Sequence, residues 1–211
     1  TLAARIDSFD TINGGSTTGM TLASGATINV DADEVDHLLA DETANRLTIS
    51  DQVITVTNAI TVDQANLLGA TTTGVVTATI ATTETITELA TLSADGGTNA
   101  LTVVVRAADA TGATAAQLNT INDATSVAVD LTNVTALAAS SLSDLGTLAT
   151  AIGNNEFDND TGITTIAVSD NTIDATTLAA RIDSYDTING GSTTGMTLAS
   201  GATINVDADE I

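Results

Sequence analysis

Two spacings of apolar residues take turns along this chain. In the first, apolar positions come every second residue: Val76, Ala78 and Ile80 are separated by Thr77 and Thr79, and Leu101, Val103 and Val105 by Thr102 and Val104. A period of two belongs to a strand with one covered face, and the branched Cβ of threonine suits a pleated surface. Strands are therefore predicted at Met20–Leu22, Leu47–Ile49, Val75–Ile80, Leu101–Val105, Val127–Leu131 and Ile163–Val168. In the second spacing, apolar residues fall three or four apart, as one face of a short helix does. Examples are Val35, Leu38 and Leu39; Leu89 and Leu92; Leu118 and Ile121; Leu142, Leu145, Leu148 and Ile152; Leu178 and Ile182. Asp31, Asp63, Thr114 and Asp174 stand where an N-cap would accept from an orphaned helix N–H. Asn13-Gly14-Gly15, Gly96-Gly97, Gly153-Asn154-Asn155 and Asn189-Gly190-Gly191 read as helix stops.

The alternation is itself repeated. Residues 1–35 return at 177–211, offset by 176 residues, with Phe9 replaced by Tyr185 and Val35 by Ile211. Inside that long period, a cap-and-anchor motif recurs at Val30-Asp31…Val35, Val62-Asp63…Leu67, Glu84-Thr85…Leu89, Ala113-Thr114…Leu118, Leu137-Ala138…Leu142 and Ile173-Asp174…Leu178. Six modules averaging about 29 residues fill one period, each reading strand, turn, helix, turn.

Successive strands joined through a helix run parallel, with right-handed crossovers. Strands lie about 4.8 Å apart and helices about 10 Å apart, so stacked modules curve, strands inside and helices outside. A closed barrel fills its interior with bulky branched side chains. Here the second strand face carries Thr48, Ser50, Thr77, Thr79, Thr102, Arg106, Asp130 and Thr132, which suit water. The expected fold is an α/β repeat, an open right-handed βα solenoid or superhelix, with 1–211 as one continuous array. An all-β solenoid is the alternative, favoured by Leu47–Val62 (LTISDQVITVTNAITV), which is long for one short strand.

Composition sharpens this picture. The 211 residues include 42 threonines and three aromatics (Phe9, Phe157, Tyr185), with no Cys, Pro, Trp or Lys. The core is thus aliphatic and thin, and no disulfide or thiolate site exists. With 27 acidic residues against four arginines the formal charge is −23. Such a surface repels phosphate backbones and anionic membranes, so nucleic acid is excluded as a partner. No apolar run is long enough for membrane insertion, and no signal segment opens the chain. The chain reads as cut from something longer, with interrupted stacking faces at both ends, so head-to-tail self-association is expected.

Candidate chemistry is sparse. His37 is the single histidine and reads as an incidental residue on the Val35–Leu39 helix. The run Asn154–Gly162 places oxygen ligands at alternate positions before a glycine, as a calcium loop begins, which makes Asp158 and Asp160 the candidate metal ligands. The following Ile163-Thr164-Thr165 breaks that pattern, and a solvated acidic turn is the simpler reading. Asp31-Ala32-Asp33-Glu34 and Asp207-Ala208-Asp209-Glu210 read as charges complementing a helix dipole. Asn13–Gly19 lacks the lysine of a phosphate loop, and the Thr-X-Thr steps Thr55–Thr57 and Thr77–Thr79 do not recur in phase as an ice-binding array would. No catalytic constellation converges, so no enzyme is expected. No cofactor is called for, with calcium at Asp158 and Asp160 left open.

The stretches TLAARIDSYDTINGG and ITVDQANLLGATTTGVVTATI, with an Asp-capped, Leu-anchored helix and a Thr-rich strand, resemble the giant threonine-rich, lysine-poor tandem-repeat surface proteins of marine bacteria, especially unicellular cyanobacteria. The resemblance spans the chain and implies an extracellular or cell-surface location with a structural or adhesive role. It carries over no catalytic residue. The expected function is a fibre- or spacer-forming segment of a large surface protein. The alternative is a module binding calcium, glycan or ice on its concave strand surface or acidic loops.

Overall fold

A computed structural model describes residues 19–93, 99–188 and 195–206. The expected helix stops at Asn13–Gly15, Gly96-Gly97 and Asn189–Gly191, and the acidic run Asp207–Glu210, lie outside those residues. The fold is mixed α/β, made of parallel-stranded sheets and short helices, and no closed barrel forms among the described residues. The chain divides into two compact units, one of residues 1–81, 92–102 and 124–126, the other of 82–91, 103–123 and 127–211.

In the first unit, β1 (Met20–Thr21) pairs with β3 (Leu47–Thr48). A four-stranded sheet joins β2 (Thr27–Asp31), β4 (Val53–Ile60), β5 (Val76–Ile80) and β6 (Ala100–Thr102) in that order. Its register sets Ile28 beside Ile54, Val30 beside Val56, Ile54 beside Val76 and Ala78 beside Leu101, and all of these are buried. The opposite face shows Thr27, Asn29, Thr57, Thr77, Thr79 and Thr102 to water, the wet face the alternation predicts. Between Thr55 and Ala59 the β4 strand bulges, and Asn58 there takes φ 66, a left-handed conformation that asparagine tolerates. Helices α1 (Val35–Thr43) and α2 (Val62–Thr71) cover the apolar face through Val35, Leu38, Val62, Ala65 and Leu68.

In the second unit, β7 (Val129–Asp130) pairs with β9 (Phe157–Asp158), and Val104 bridges to Asp130. A three-stranded sheet runs β8 (Ala136–Ser140), β10 (Thr165–Val168), β12 (Met196–Thr197), and β11 (Thr172–Asp174) pairs with β13 (Thr203–Asn205). Helices α3 (Ile86–Leu89), α4 (Ala115–Asp123), α5 (Leu142–Gly153) and α6 (Ala175–Ile188) pack in succession, each on the next.

Every pairing in both units is parallel and links segments between 20 residues (Ile60 with Ile80) and 31 residues (Thr172 with Thr203) apart. The modules differ from the expected strand-turn-helix in one respect: several carry two strands. β1 is followed by β2, β3 by β4, β10 by β11 and β12 by β13, before each helix or at the end of the described chain. The long run Leu47–Val62 therefore holds two strands and the start of a helix, so the extra strand expected there exists while the helices remain.

Three expected positions shift. Thr61, not Asp63, caps α2, because Thr61 and Gln64 form a reciprocal capping box that satisfies two backbone N–H groups. Starting the helix at Val62 turns Leu68 inward and leaves Leu67 exposed. On α6 the buried side chains are Tyr185 and Ile188, while Ile182 is exposed. Thr114 and Asp174 do accept from the N–H groups of Gln117 and Thr177, and Asp31 caps a 3-10 turn at Ala32–Glu34 instead of an α-helix.

Candidate functional site

The residues that do most in this structure tie one module to the next. The first N–H of α3, at Ile86, donates to Asp109 Oδ2 at 2.8 Å; that of α4, at Ala115, to Ser140 Oγ at 2.9 Å; that of α5, at Leu142, to Asp170 Oδ2 at 2.8 Å. These acceptors lie 23, 25 and 28 residues downstream, one module away. A helix N-terminus carries orphan N–H groups and partial positive charge, so these three helices are capped twice, once by their own Thr85, Thr114 or Ser141 and once by the following module. Asp109 is also held by Arg106 at 2.7 Å, and Arg106 reaches back to donate to Thr83 O.

Asparagine amides form a second set of ties. Asn58 Nδ2 donates to Asp31 Oδ2 (2.8 Å), Asn159 Nδ2 to Asp130 Oδ1 (2.9 Å), Asn133 Nδ2 to Val105 O (2.8 Å) and Asn119 Nδ2 to Asp144 O (3.0 Å). The buried Asn99 accepts from Val76 N through Oδ1. These ties were not singled out in the sequence. Their signal was the module-length spacing from each Asn or Asp to its partner.

The candidate calcium residues sit inside this scheme. Asn155 and Asn159 both take left-handed φ (61 and 59), reversing the chain on either side of β9. Phe157 is buried between them, and Asp158 stands exposed in register with Asp130 on the neighbouring strand. Asp160 opens the 3-10 turn Asp160–Gly162, its carbonyl accepting from Ile163 N. Glu156 is turned to two asparagines, accepting from Asn122 Nδ2 at 2.7 Å and Asn154 Nδ2 at 3.2 Å. No cluster of three or more His, Asp or Glu placed to hold a metal occurs among the described residues. Partial burial pushes the Asp130 carboxyl up, but the Asn159 amide and the Thr132 N–H and hydroxyl outweigh it and hold it below the ordinary carboxylate range. The Glu88 carboxyl is likewise lowered, chiefly by the Thr85 N–H and hydroxyl of its own capping box. Asp51 is lowered first by the hydroxyl of Ser24, which donates to it from 27 residues upstream.

His37 is exposed on α1. Asp41 is buried and paired with Arg46 at 2.6 Å. A shallow groove of about 240 Å³ lies between Asn119, Asn122, Thr147, Thr150 and Glu156, and a wider one of about 640 Å³ between Leu39, Ala40, Thr43, Leu67 and Ala70. No helix among the described residues is long and apolar enough to cross a membrane. Comparison with known protein families, with curated proteins and with solved structures finds no match.

Proposed function

We propose that this chain is a structural segment, a fibre- or spacer-forming array of a large extracellular or cell-surface protein, working by stacking modules and not by catalysis. One observation carries the reading. β1 and β12 have the same sequence one period apart; β1 pairs downstream with β3, and β12 pairs upstream with β10. Their companions behave alike, β2 pairing downstream with β4 and β13 upstream with β11. Taken as one place in the period, these two strands have parallel neighbours both upstream and downstream, which supports an array that continues through the repeated segment. The proposed arrangement is an open, right-handed solenoid, since parallel crossovers are right-handed in about 98% of cases. Each module advances the strand stack by about 4.8 Å, so a six-module period adds about 29 Å along it.

The module-to-module caps and asparagine ties support stiffness, because they fix the angle between neighbours as well as their distance. The acid-rich, lysine-free surface supports a solvated, exposed setting, and net charge far from zero keeps such an array from collapsing onto itself.

Electron micrographs of a tandem chain of three periods test this directly. Rods of constant width whose length grows with period number are expected; compact particles would refute it. A calcium titration followed by thermal melting belongs beside it. A ligand of the folded state raises the midpoint, so an unmoved midpoint is expected of a stack held by its ladder alone, and a rise that Asp158→Asn/Asp160→Asn abolishes would make Asp158 and Asp160 calcium ligands.

A further inference from the structure

The capping box that starts α2 at Val62 leaves a leucine outside. In Leu67-Leu68 the second side chain is buried and the first is 55% exposed. The other large apolar side chains exposed among the described residues, Ile182, Leu198, Ile204 and Val206, lie toward the far end of the chain. Leu67 differs from them. It stands between β4 and β5, and each of those strands has a parallel neighbour on both sides, so a missing module does not account for its exposure. With Leu39, Ala40 and Ala70 it lines the groove of about 640 Å³ between α1 and α2. The helical period sets Asp36 on the face of Leu39, Ala40 and Thr43, and Asp63 on the face of Leu67 and Ala70. Gln64, in the first turn of α2, donates to Asp36, in the first turn of α1, at 3.0 Å and ties the two helices at their N-terminal ends. Glu42 lines the groove farther along.

We propose that this groove docks a cationic amphipathic helix of another protein. An apolar groove accepts the apolar face of a helix, and the charge around it selects the flanks of that helix. Here the surround is acidic. Asp36, Glu42 and Asp63 supply it, and apart from His37 neither helix carries a basic residue. Arg46, just past the end of α1, is engaged by Asp41 at 2.6 Å. A second copy of this chain is a poor occupant, because its formal charge of −23 brings like charge to an acidic rim. The helices α1 and α2 are nine and ten residues long, which makes a trough of about 15 Å, or about three turns of a partner helix. That partner presents Leu, Ile or Met over Leu39 and Leu67, with Lys or Arg on its flanks toward Asp36, Glu42 and Asp63. Covering the half-exposed leucine supplies affinity, and the charges supply orientation and a faster encounter.

The chain has no tryptophan, so a peptide carrying one reports on its own surroundings. The probe is a synthetic Leu/Lys amphipathic helix of about 14 residues with one Trp on its apolar face, and its control has Glu at every Lys position. Titrated with the full chain at about 0.15 M salt, the Lys peptide should bind one to one with a blue-shifted emission, and the Glu peptide should stay free. Leu67→Ser should weaken binding about tenfold with the melting temperature of the chain unchanged. Should that variant melt lower, Ala70→Gln, which fills the floor of the groove without adding charge, decides in its place by the same loss. Glu42→Gln/Asp63→Asn should lower affinity and flatten its dependence on salt. Lys-peptide binding that survives the groove substitution intact is attraction to the acidic surface at large and overturns the proposal. Equal binding of the Glu peptide overturns it too, as does the lack of saturable binding. A dimer of the chain alone in sedimentation that Leu67→Ser dissolves also overturns it, since a second copy then occupies the groove.

Discussion

Replacing Ile28 by alanine is expected to cost about 2–5 kcal/mol in chemical denaturation, the range for emptying a covered aliphatic position. Ile204→Ala, in the same sequence one period on, should stay within about 0.5 kcal/mol, as exposed substitutions do. Equal losses at the two would mean that both faces are covered alike. Asp130 makes a different prediction. Its carboxyl is held below the ordinary range in the folded chain, so the stability it contributes is complete above the unfolded value, near 3.9, and is lost as pH falls through the folded value. Asp130→Asn should therefore lower stability at neutral pH and narrow its gap from the parent as the solution is acidified, measured by thermal melts across the acid limb. Some of this residue-level detail was legible in the sequence. Val35, Leu38, Leu118 and Leu145 follow the helical period and are buried. Leu67 and Ile182 follow the same rule and are not. Periodicity marks a face but not its phase, and the capping box at Thr61–Gln64 moved that phase by one residue.

Helices here are held by their neighbours as much as by themselves. Asp170→Ala removes the acceptor for the Leu142 N–H while leaving the α5 cap at Ser141 in place. The expected cost is about 0.5–2 kcal/mol, as for loss of an N-cap. Amide hydrogen exchange should show faster exchange at the first turn of α5, with the first turn of α3, capped from Asp109, undisturbed. Exchange rates unchanged across α5 would mean that the cross-module cap contributes nothing. At this scale the sequence showed the helices and the caps at Thr114 and Asp174, because cap chemistry is local, but it put the α2 cap at Asp63 instead of Thr61 and did not pick out Ser141. It did not resolve the paired strands of each module. Short segments such as β8, with Ala136, Ala138 and Ala139 around Leu137, and β9, two residues at an asparagine-rich turn, lack the run of branched residues that marks a strand. They are strands because a neighbouring module offers them a ladder. Asp109, Ser140 and Asp170 went unread for the same reason, since their partners are a module away.

For the whole molecule, the proposed stacking of modules would account for several facts together: the 176-residue repetition, the wet threonine face and the near absence of aromatics. Direction of pairing was legible from the helical crossovers; extent was not, since a repeat states how units join without stating how many follow. Cysteine pairs between β2 and β4 test the stacking most directly. Thr27, Asn29 and Asp31 share one face of β2, and in parallel register they lie beside Val53, Thr55 and Thr57. Strand neighbours sit close enough for a disulfide. The pair Asn29→Cys/Thr55→Cys oxidises in either direction, so the outer positions decide. Parallel stacking predicts rapid disulfides for Thr27→Cys/Val53→Cys and Asp31→Cys/Thr57→Cys, whereas rapid disulfides for Thr27→Cys/Thr57→Cys and Asp31→Cys/Val53→Cys would contradict it.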